Sequence, residues 1–380
     1  MISALVVFVI FIMTINIGII GLGQSGKTTV FNALTGGKAD TVVHGTGNLD
    51  PNIGMARVPD PRMKLLNDIF HPAKTVYSEV KYLDIGASVK SLAKDKGMGG
   101  QLLNQLSTVD TIMCAVRAFK DESIPHPDGT INVKRDIEAL NLELIFSDLA
   151  IMERRLERLE GSMKAAKPGE RAPFLQEKET LLKMKADMEK DIPIRAQTID
   201  PSAQRFISNY QFLTAKPLLI IVNIGEEQLA QSAKLEEDYN KQFAGPNCRV
   251  VTLCGKLEME LAQMEPADAE AFRKDYGLKE SGLEHVIRAS YELSNLITFF
   301  TVGPDEDRAW PIKNGLTAPK AAGKIHTDFE KGFIRAETIH IDELLKVGSL
   351  VEAKKKGILR LEGKEYIVKD GDVITFLFNV

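Results

Sequence analysis

Cysteine is scarce in this chain. Its 380 residues include three, Cys114, Cys248 and Cys254, an odd number without a CxxC spacing. A disulfide framework or a zinc site is disfavoured by that pattern, and a reducing compartment suits it. An excess of positive charge is also missing. The formal net charge of −4 supplies no global field for nucleic acid, so any such contact has to rest on a local patch. No internal repeat or low-complexity tract is visible, which argues against a repeat architecture. What is left, 44% hydrophobic and 26% charged residues, is the composition of an ordinary globular protein. The length provides for two or three domains.

One long hydrophobic run stands at the N-terminus, residues 2–15, but no Lys or Arg precedes it and no small-residue cleavage site follows. It feeds straight into a strand that has to lie in the cytosol with its ligand. Met13, followed by ThrIleAsnIleGlyIleIleGly, is the expected start of the folded chain, with a peripheral anchor as second choice. Secretion is not expected.

Residues 15–29 organise the rest. A β-branched run ends at Gly21, and Gly21-x-x-x-x-Gly26-Lys27-Thr28 fits the phosphate-binding loop pattern, with ThrValPheAsnAlaLeu behind it as a helix. The glycines let the loop wrap a polyphosphate with its N–H groups pointing inward, and the helix N-terminus adds a favourable field. Lys27 supplies a cation for the β- and γ-phosphates, and the Thr28 hydroxyl can ligate Mg²⁺. The loop set is therefore Gly21, Leu22, Gly23, Gln24, Ser25, Gly26, Lys27, Thr28 and Thr29, and its ligand a nucleoside triphosphate.

Downstream, residues 37–55 are rich in Gly, Asn, Asp and Thr and read as a loop, the place of a first switch in GTPase-like proteins. Residues 76–85 read as one strand ending near Asp84, a carboxylate suited to holding Mg²⁺ through water. From Leu142 the apolar residues Ile145, Leu149, Met152, Leu156, Leu159 and Met163 step by three and four. A LysProGlyGlu break at 167–170 separates them from a second charged helix, which gives an antiparallel helical hairpin whose stripe packs arm on arm. Apolar runs at 217–223 and 249–255 read as central parallel strands, alternating with helices over 227–243, 256–275 and 282–297. A doubly wound, mainly parallel α/β sheet is the expected fold. Beyond residue 296 the texture is β-rich, and AspGlyAsp at 370–372 is a hairpin signal. The expected divisions are 1–13, an apolar extension; 14–138 and 205–296, the nucleotide domain; 139–204, the hairpin insert; and 297–380, a small separate domain.

With these parts in place, the chain resembles the YchF/Obg-like ATPase family over about residues 14–380. The resemblance rests on GlyLeuGlyGlnSerGlyLysThr (21–28), AspProAsnIleGly…ValProAspProArg (50–62) and ValAspThrIle…ValArgAlaPheLysAsp (109–121). AspIleGluAlaLeuAsnLeuGluLeu (136–144), LysLeuGluMetGluLeu (256–261) and HisThrAspPheGluLysGlyPheIleArgAla (326–336) complete it. It implies a cytoplasmic, ribosome-associated P-loop NTPase that hydrolyses ATP with Mg²⁺ rather than GTP, with a β-grasp C-terminal domain of the TGS type. Contact with the ribosome or its RNA would run through the hairpin and that domain. A monomer without a stable membrane partner is expected.

The resemblance also extends the site. His126, in SerIleProHisProAspGly, matches the loop histidine the family is thought to use in hydrolysis, so Lys27 and His126 are the catalytic candidates; a solvated loop histidine is the alternative. Thr28 and Asp84 are the metal candidates. Asn223, Ile224, Glu226, Cys254 and Gly255 join the nucleotide-binding set. GTPases carry Asn-Lys-x-Asp where this chain has Asn223-Ile224-Gly225-Glu226, so the guanine-specific carboxylate pairing is not provided and ATP is favoured. Three positions depart from the family pattern. Asp84-Ile85-Gly86-Ala87 has its glycine one place early, Ser88 stands where family members are hydrophobic, and Asn48-Leu49 displaces the switch threonine, with Thr46 nearby. These changes weaken hydrolysis and switching more than binding, which keeps a nucleotide-gated binding module open as an alternative; a GTPase is a third, discriminated by the Asn223–Glu226 segment.

Overall fold

A computed structural model describes residues 15–37, 51–86, 98–276, 278 and 280–379. The expectations for residues 1–14, Thr46, Asn48, Ala87 and Ser88 lie outside the described residues. The chain divides into two compact units, one of Asn16–Ala56 with Lys81–Leu293, the other including Arg57–Val80 and the residues from Ser294 on.

The larger unit holds a six-stranded sheet of β1 (Ile15–Gly21), β2 (Asn52–Arg57), β4 (Glu79–Asp84), β5 (Thr111–Arg117), β6 (Leu218–Asn223) and β7 (Cys248–Leu253), in the order β2-β4-β1-β5-β6-β7. The pairs β1–β5, β5–β6 and β6–β7 are parallel, with Ile20, Cys114, Ile220 and Val250 in one row. Every residue of β5 and β6 is buried, as continuous apolar runs require when both faces of a sheet are covered. The surrounding helices are α1 (Lys27–Thr35), α3 (Met98–Ser107), α7 (Ser232–Phe243), α8 (Gly255–Leu261), α9 (Pro266–Asp275) and α10 (Gly282–Leu293). The single helix expected over 256–275 is two, because Pro266 cannot continue α8 and instead opens α9. Strand β1 has β4 on one side and β5 on the other, so the strand order reverses there. Ligands of open α/β sheets bind at that point, outside the carboxyl ends of the strands. Gly21 and Asp84 both stand at such ends.

Between β5 and β6 the chain forms α4 (Val133–Ala165) and α5 (Ala172–Met188), with the short α6 (Gln204–Ile207) following. Ile145, Met152 and Leu159 of α4 bury against Leu181, Met184 and Met188 of α5, so the stripe packs arm on arm. Arg155 and Glu177 join the arms through two hydrogen bonds of 2.8 Å each.

The second unit changes the expected boundaries. Its sheet, β11-β10-β12-β8-β9-β3, contains β3 (Lys74–Val76), β8 (Leu296–Thr301), β9 (Glu306–Lys313), β10 (Phe333–His340), β11 (Arg360–Glu362) and β12 (Asp372–Phe378). The 76–85 segment is therefore not one strand: β3 pairs with β9, and β4 belongs to the other sheet. Residues 57–80, assigned from sequence to 14–138, group with the C-terminal unit. The cause is apolar burial by α2 (Pro61–Phe70), whose Met63 and Leu66 are fully buried among Phe300, Ile339, Leu344 and Val373. Arg62 adds an ion pair to Asp370 at 2.6 Å and lies 5.0 Å over the Phe300 ring. The AspGlyAsp turn also joins no hairpin. Both β11 and β12 pair with β10, so β10 separates them. Helices α11 (Ala318–Ile325), α12 (Thr327–Lys331), α13 (Ile341–Val347) and α14 (Leu350–Lys355) complete the unit.

Candidate active site

The loop after β1 is built around close approaches. A Cβ on Gly21 would stand 2.6 Å from the Ala115 carbonyl oxygen, and one on Gly26, at φ 80°, would stand 2.2 Å from Asn223 Nδ2. Only glycine fits either place. Gly26 precedes α1, whose first turn carries no side-chain cap and no acidic residue. Its amides are thus oriented for an anion. Gly23 and Gln24 are exposed, Gln24 in the left-handed region at φ 60°, whereas Leu22 and Ser25 are buried. Leu22 therefore anchors the loop in the core and leaves its backbone to any ligand. Thr29 faces Gly255, where a Cβ would meet its Cγ2 at 3.7 Å.

Lys27, Thr28 and Asp84 meet. Lys27 Nζ lies 2.9 Å from Asp84 Oδ1 and also donates to the Ile85 carbonyl, and Thr28 Oγ1 donates to Asp84 Oδ2 at 2.9 Å. Asp84 is 3% exposed, so its charge depends on these partners. Asn52 Nδ2 reaches the same Oδ2 at 3.4 Å. Asn52 lies in the AspProAsnIleGly motif, but no chemical pattern in the sequence marks it as a site residue.

The segment expected to read the base is arranged differently from a simple reader. Asn223 is 3% exposed; its Nδ2 donates to the Ser25 carbonyl at 3.1 Å and its Oδ1 accepts from Gly255 N at 3.0 Å. Both ends of the amide are spent tying the phosphate loop to the start of α8, so Asn223 is a strut. Ile224 is 2% exposed and packs in the core. Glu226 is paired with Lys256 at 3.2 Å on the surface. Cys254 is buried, and burial raises its thiol pKa. A cavity of about 530 Å³ is lined by Ile224, Leu229, Thr252, Cys254 and residues of α7 and α8 among others, and no residue of the phosphate loop lines it.

His126 is not a solvated loop histidine. Its side chain is 4% exposed, and Nε2 lies 3.0 Å from Asp136 Oδ2 at the start of α4. Arg117, also buried, lies 4.5 Å over the Phe119 ring and donates to the Phe119 and Asp121 carbonyls, which shapes the strand exit leading to this segment. Asp136 and Arg117 carried no signal of their own; each stands inside a quoted motif without a chemical pattern marking it. Among the described residues, no group of three or more His, Cys, Asp or Glu could hold a metal ion, and no helix is long and apolar enough to cross a membrane.

A parallel α/β sheet with a phosphate loop at its switch point and a lysine, threonine and aspartate gathered there defines a P-loop nucleotide-binding protein. Comparisons with known proteins go further. Residues 296–379 match the family described as "YchF-GTPase_C: Protein of unknown function (DUF933)". The chain is 40% identical over 370 residues to the "Ribosome-binding ATPase YchF" of Bacillus subtilis, covering 97% of this chain and 100% of that protein. It is 39% identical over 368 residues to the protein of the same name from Escherichia coli O157:H7, again covering 97% and 100%. The structure of the Schizosaccharomyces pombe YchF GTPase matches it with a TM-score of 0.81 at 28% identity, over 96% of this chain and 98% of that one. The chain belongs to the YchF family.

Proposed function

We propose that this chain is a cytoplasmic, ribosome-associated ATPase that binds ATP with Mg²⁺ and hydrolyses it slowly, in preference to GTP. The observation that carries the reading is the meeting of Lys27, Thr28 and Asp84 at the end of the phosphate loop. The Thr28 hydroxyl and Asp84 carboxylate are hard oxygen donors already within 2.9 Å of each other, a donor set that fits Mg²⁺. Thr28 would hold the ion directly and Asp84 through water. When bound, Mg²⁺ neutralises charge on the β- and γ-phosphate oxygens. Lys27 exchanges its Asp84 partner for the phosphates, and it and the loop amides stabilise charge on the transferring group. His126, once freed from its present partners, orients the attacking water or stabilises charge.

The preference for ATP has physical support. Guanine recognition needs a carboxylate presented to N1–H and the exocyclic amine. Here Asn223 is consumed as a strut, Ile224 is buried and Glu226 is paired with Lys256. Ribosome association rests on the names of the relatives. The hairpin, with Phe146, Leu175 and Leu182 exposed on its arms, and the TGS-like C-terminal unit are the surfaces for it, and the chain acts as a monomer. A second reading, a nucleotide-gated binding module with little hydrolysis, is favoured by one observation: His126 is engaged at both ring nitrogens. Titration calorimetry with Mg²⁺ tests the base and the loop. ATP should bind more tightly than GTP, and Lys27→Ala should weaken ATP by at least about tenfold, some 1.4 kcal/mol. Tighter GTP binding would overturn the base assignment.

A further inference from the structure

The segment that carries His126 lies against the phosphate loop: a Cβ on Gly23 would come within 3.5 Å of Pro127 Cγ. The imidazole is nevertheless turned to other partners. Nδ1 accepts the backbone N–H of Asp128 at 3.1 Å, so the proton sits on Nε2 and is donated to Asp136 Oδ2 at 3.0 Å. In that arrangement the ring has no lone pair for a water and no free N–H for a phosphoryl oxygen. Asp136 is itself fixed. It is 2% exposed, stands in the first turn of α4 where the helix field favours a carboxylate, and receives Arg135 Nε and Nη2 at 2.9 and 2.8 Å on its other oxygen. Arg135 Nη2 also donates to the Thr130 carbonyl at 2.7 Å, which binds the loop to the helix start.

We infer that Asp136 is a latch: a positioning residue that holds His126 away from the phosphoryl group and keeps basal hydrolysis slow until the start of α4 and the 124–130 loop part. The inference rests on the reading of His126 as the group that assists hydrolysis. Helix α4 runs unbroken for 33 residues from the latch into the hairpin, about 50 Å, so movement of this helix is what frees the ring.

Single-turnover ATP hydrolysis by the full chain tests it. Asp136→Ala should raise the rate about tenfold, the usual effect of removing a charge-assisted hydrogen bond, with KM for ATP changed less than about twofold. Asp136→Asn, which preserves packing, should give a smaller rise in the same direction. Neither rise should survive in a His126→Ala background. An unchanged or lower rate in folded Asp136→Asn, or a rise that persists without His126, overturns the latch while leaving the ATPase intact. ATP binding with no hydrolysis in the wild type or any variant overturns the hydrolytic reading and the latch with it. Histidine ¹⁵N spectra of the wild type give a check that needs no variant: His126 should be the Nε2–H tautomer, and an Nδ1–H tautomer contradicts the geometry.

Discussion

Asn223 offers a sharp separation between reading a base and holding a site together. Truncation to alanine removes the donor to the Ser25 carbonyl and the acceptor for Gly255 N, both in buried surroundings. Each partner left unsatisfied costs about 1–3 kcal/mol, so the nucleotide-free protein should lose roughly 2–6 kcal/mol. For a unit of this size that corresponds to a fall in melting temperature on the order of 5–15 °C. Asn223→Asp is informative beside it. One carboxylate oxygen still accepts from Gly255 N, but the other, in place of Nδ2, faces the Ser25 carbonyl, so repulsion replaces a hydrogen bond and the loss should be comparable. ATP affinity should fall in both variants because Ser25 and Gly26 are no longer held. Calorimetric melting without nucleotide, followed by ATP titration, measures the two effects separately. An unchanged melting temperature with ATP affinity alone reduced would refute the strut and return Asn223 to the base.

Three further outcomes follow from packing and charge. Met63→Ala should cost about 2–5 kcal/mol in the C-terminal unit through the cavity it leaves; denaturant unfolding should show this with ATP affinity unchanged, since Met63 belongs to the core of the unit that does not contain the phosphate loop. Asp148, buried and accepting from Leu213 N and Thr214 N, has its carboxyl pushed up to about 6 by burial. A native pKa above the unfolded one means stability that is full below about pH 4 and lost as pH rises through 6, up to about 3 kcal/mol. The stability of the wild type relative to Asp148→Asn should therefore decline between pH 4 and 7 in melting experiments, and a constant difference would contradict the assignment. Finally, Arg155→Ala leaves Glu177, 6% exposed, without its bidentate partner. Proteolysis within 133–188 should accelerate while the larger sheet stays protected.

The parts of the fold set by local pattern were readable from the residues alone. The runs at β5, β6 and β7 are continuous because both faces are covered, and the phosphate loop carries its own spacing. The hairpin stripe steps at the helical period over two arms. What escaped depends on distant partners. Strand β3 has three residues, too few for periodicity, and exists because β9 pairs with it. Helix α2 looks like any amphipathic helix until Met63 and Leu66 meet Phe300 and Ile339, more than two hundred residues away in sequence. The turn at 370–372 has hairpin chemistry, yet Asp370 serves Arg62 and Thr298 N instead. The site shows the same division. Lys27, Thr28 and Asp84 stand at the phosphate loop and at the end of β4, positions that local pattern marks, whereas the engagement of Asn223 and the Asp136 contact to His126 are side-chain geometry that no motif encodes.

The most direct measurement is single-turnover release of γ-phosphate from ATP and from GTP, with and without ribosomes, by protein beginning at Met13, beside Lys27→Ala. The expected result is slow release from ATP, slower release from GTP, and loss of both with Lys27→Ala. Faster turnover of GTP, or tight ATP binding with no release even with ribosomes, would contradict a ribosome-associated ATPase.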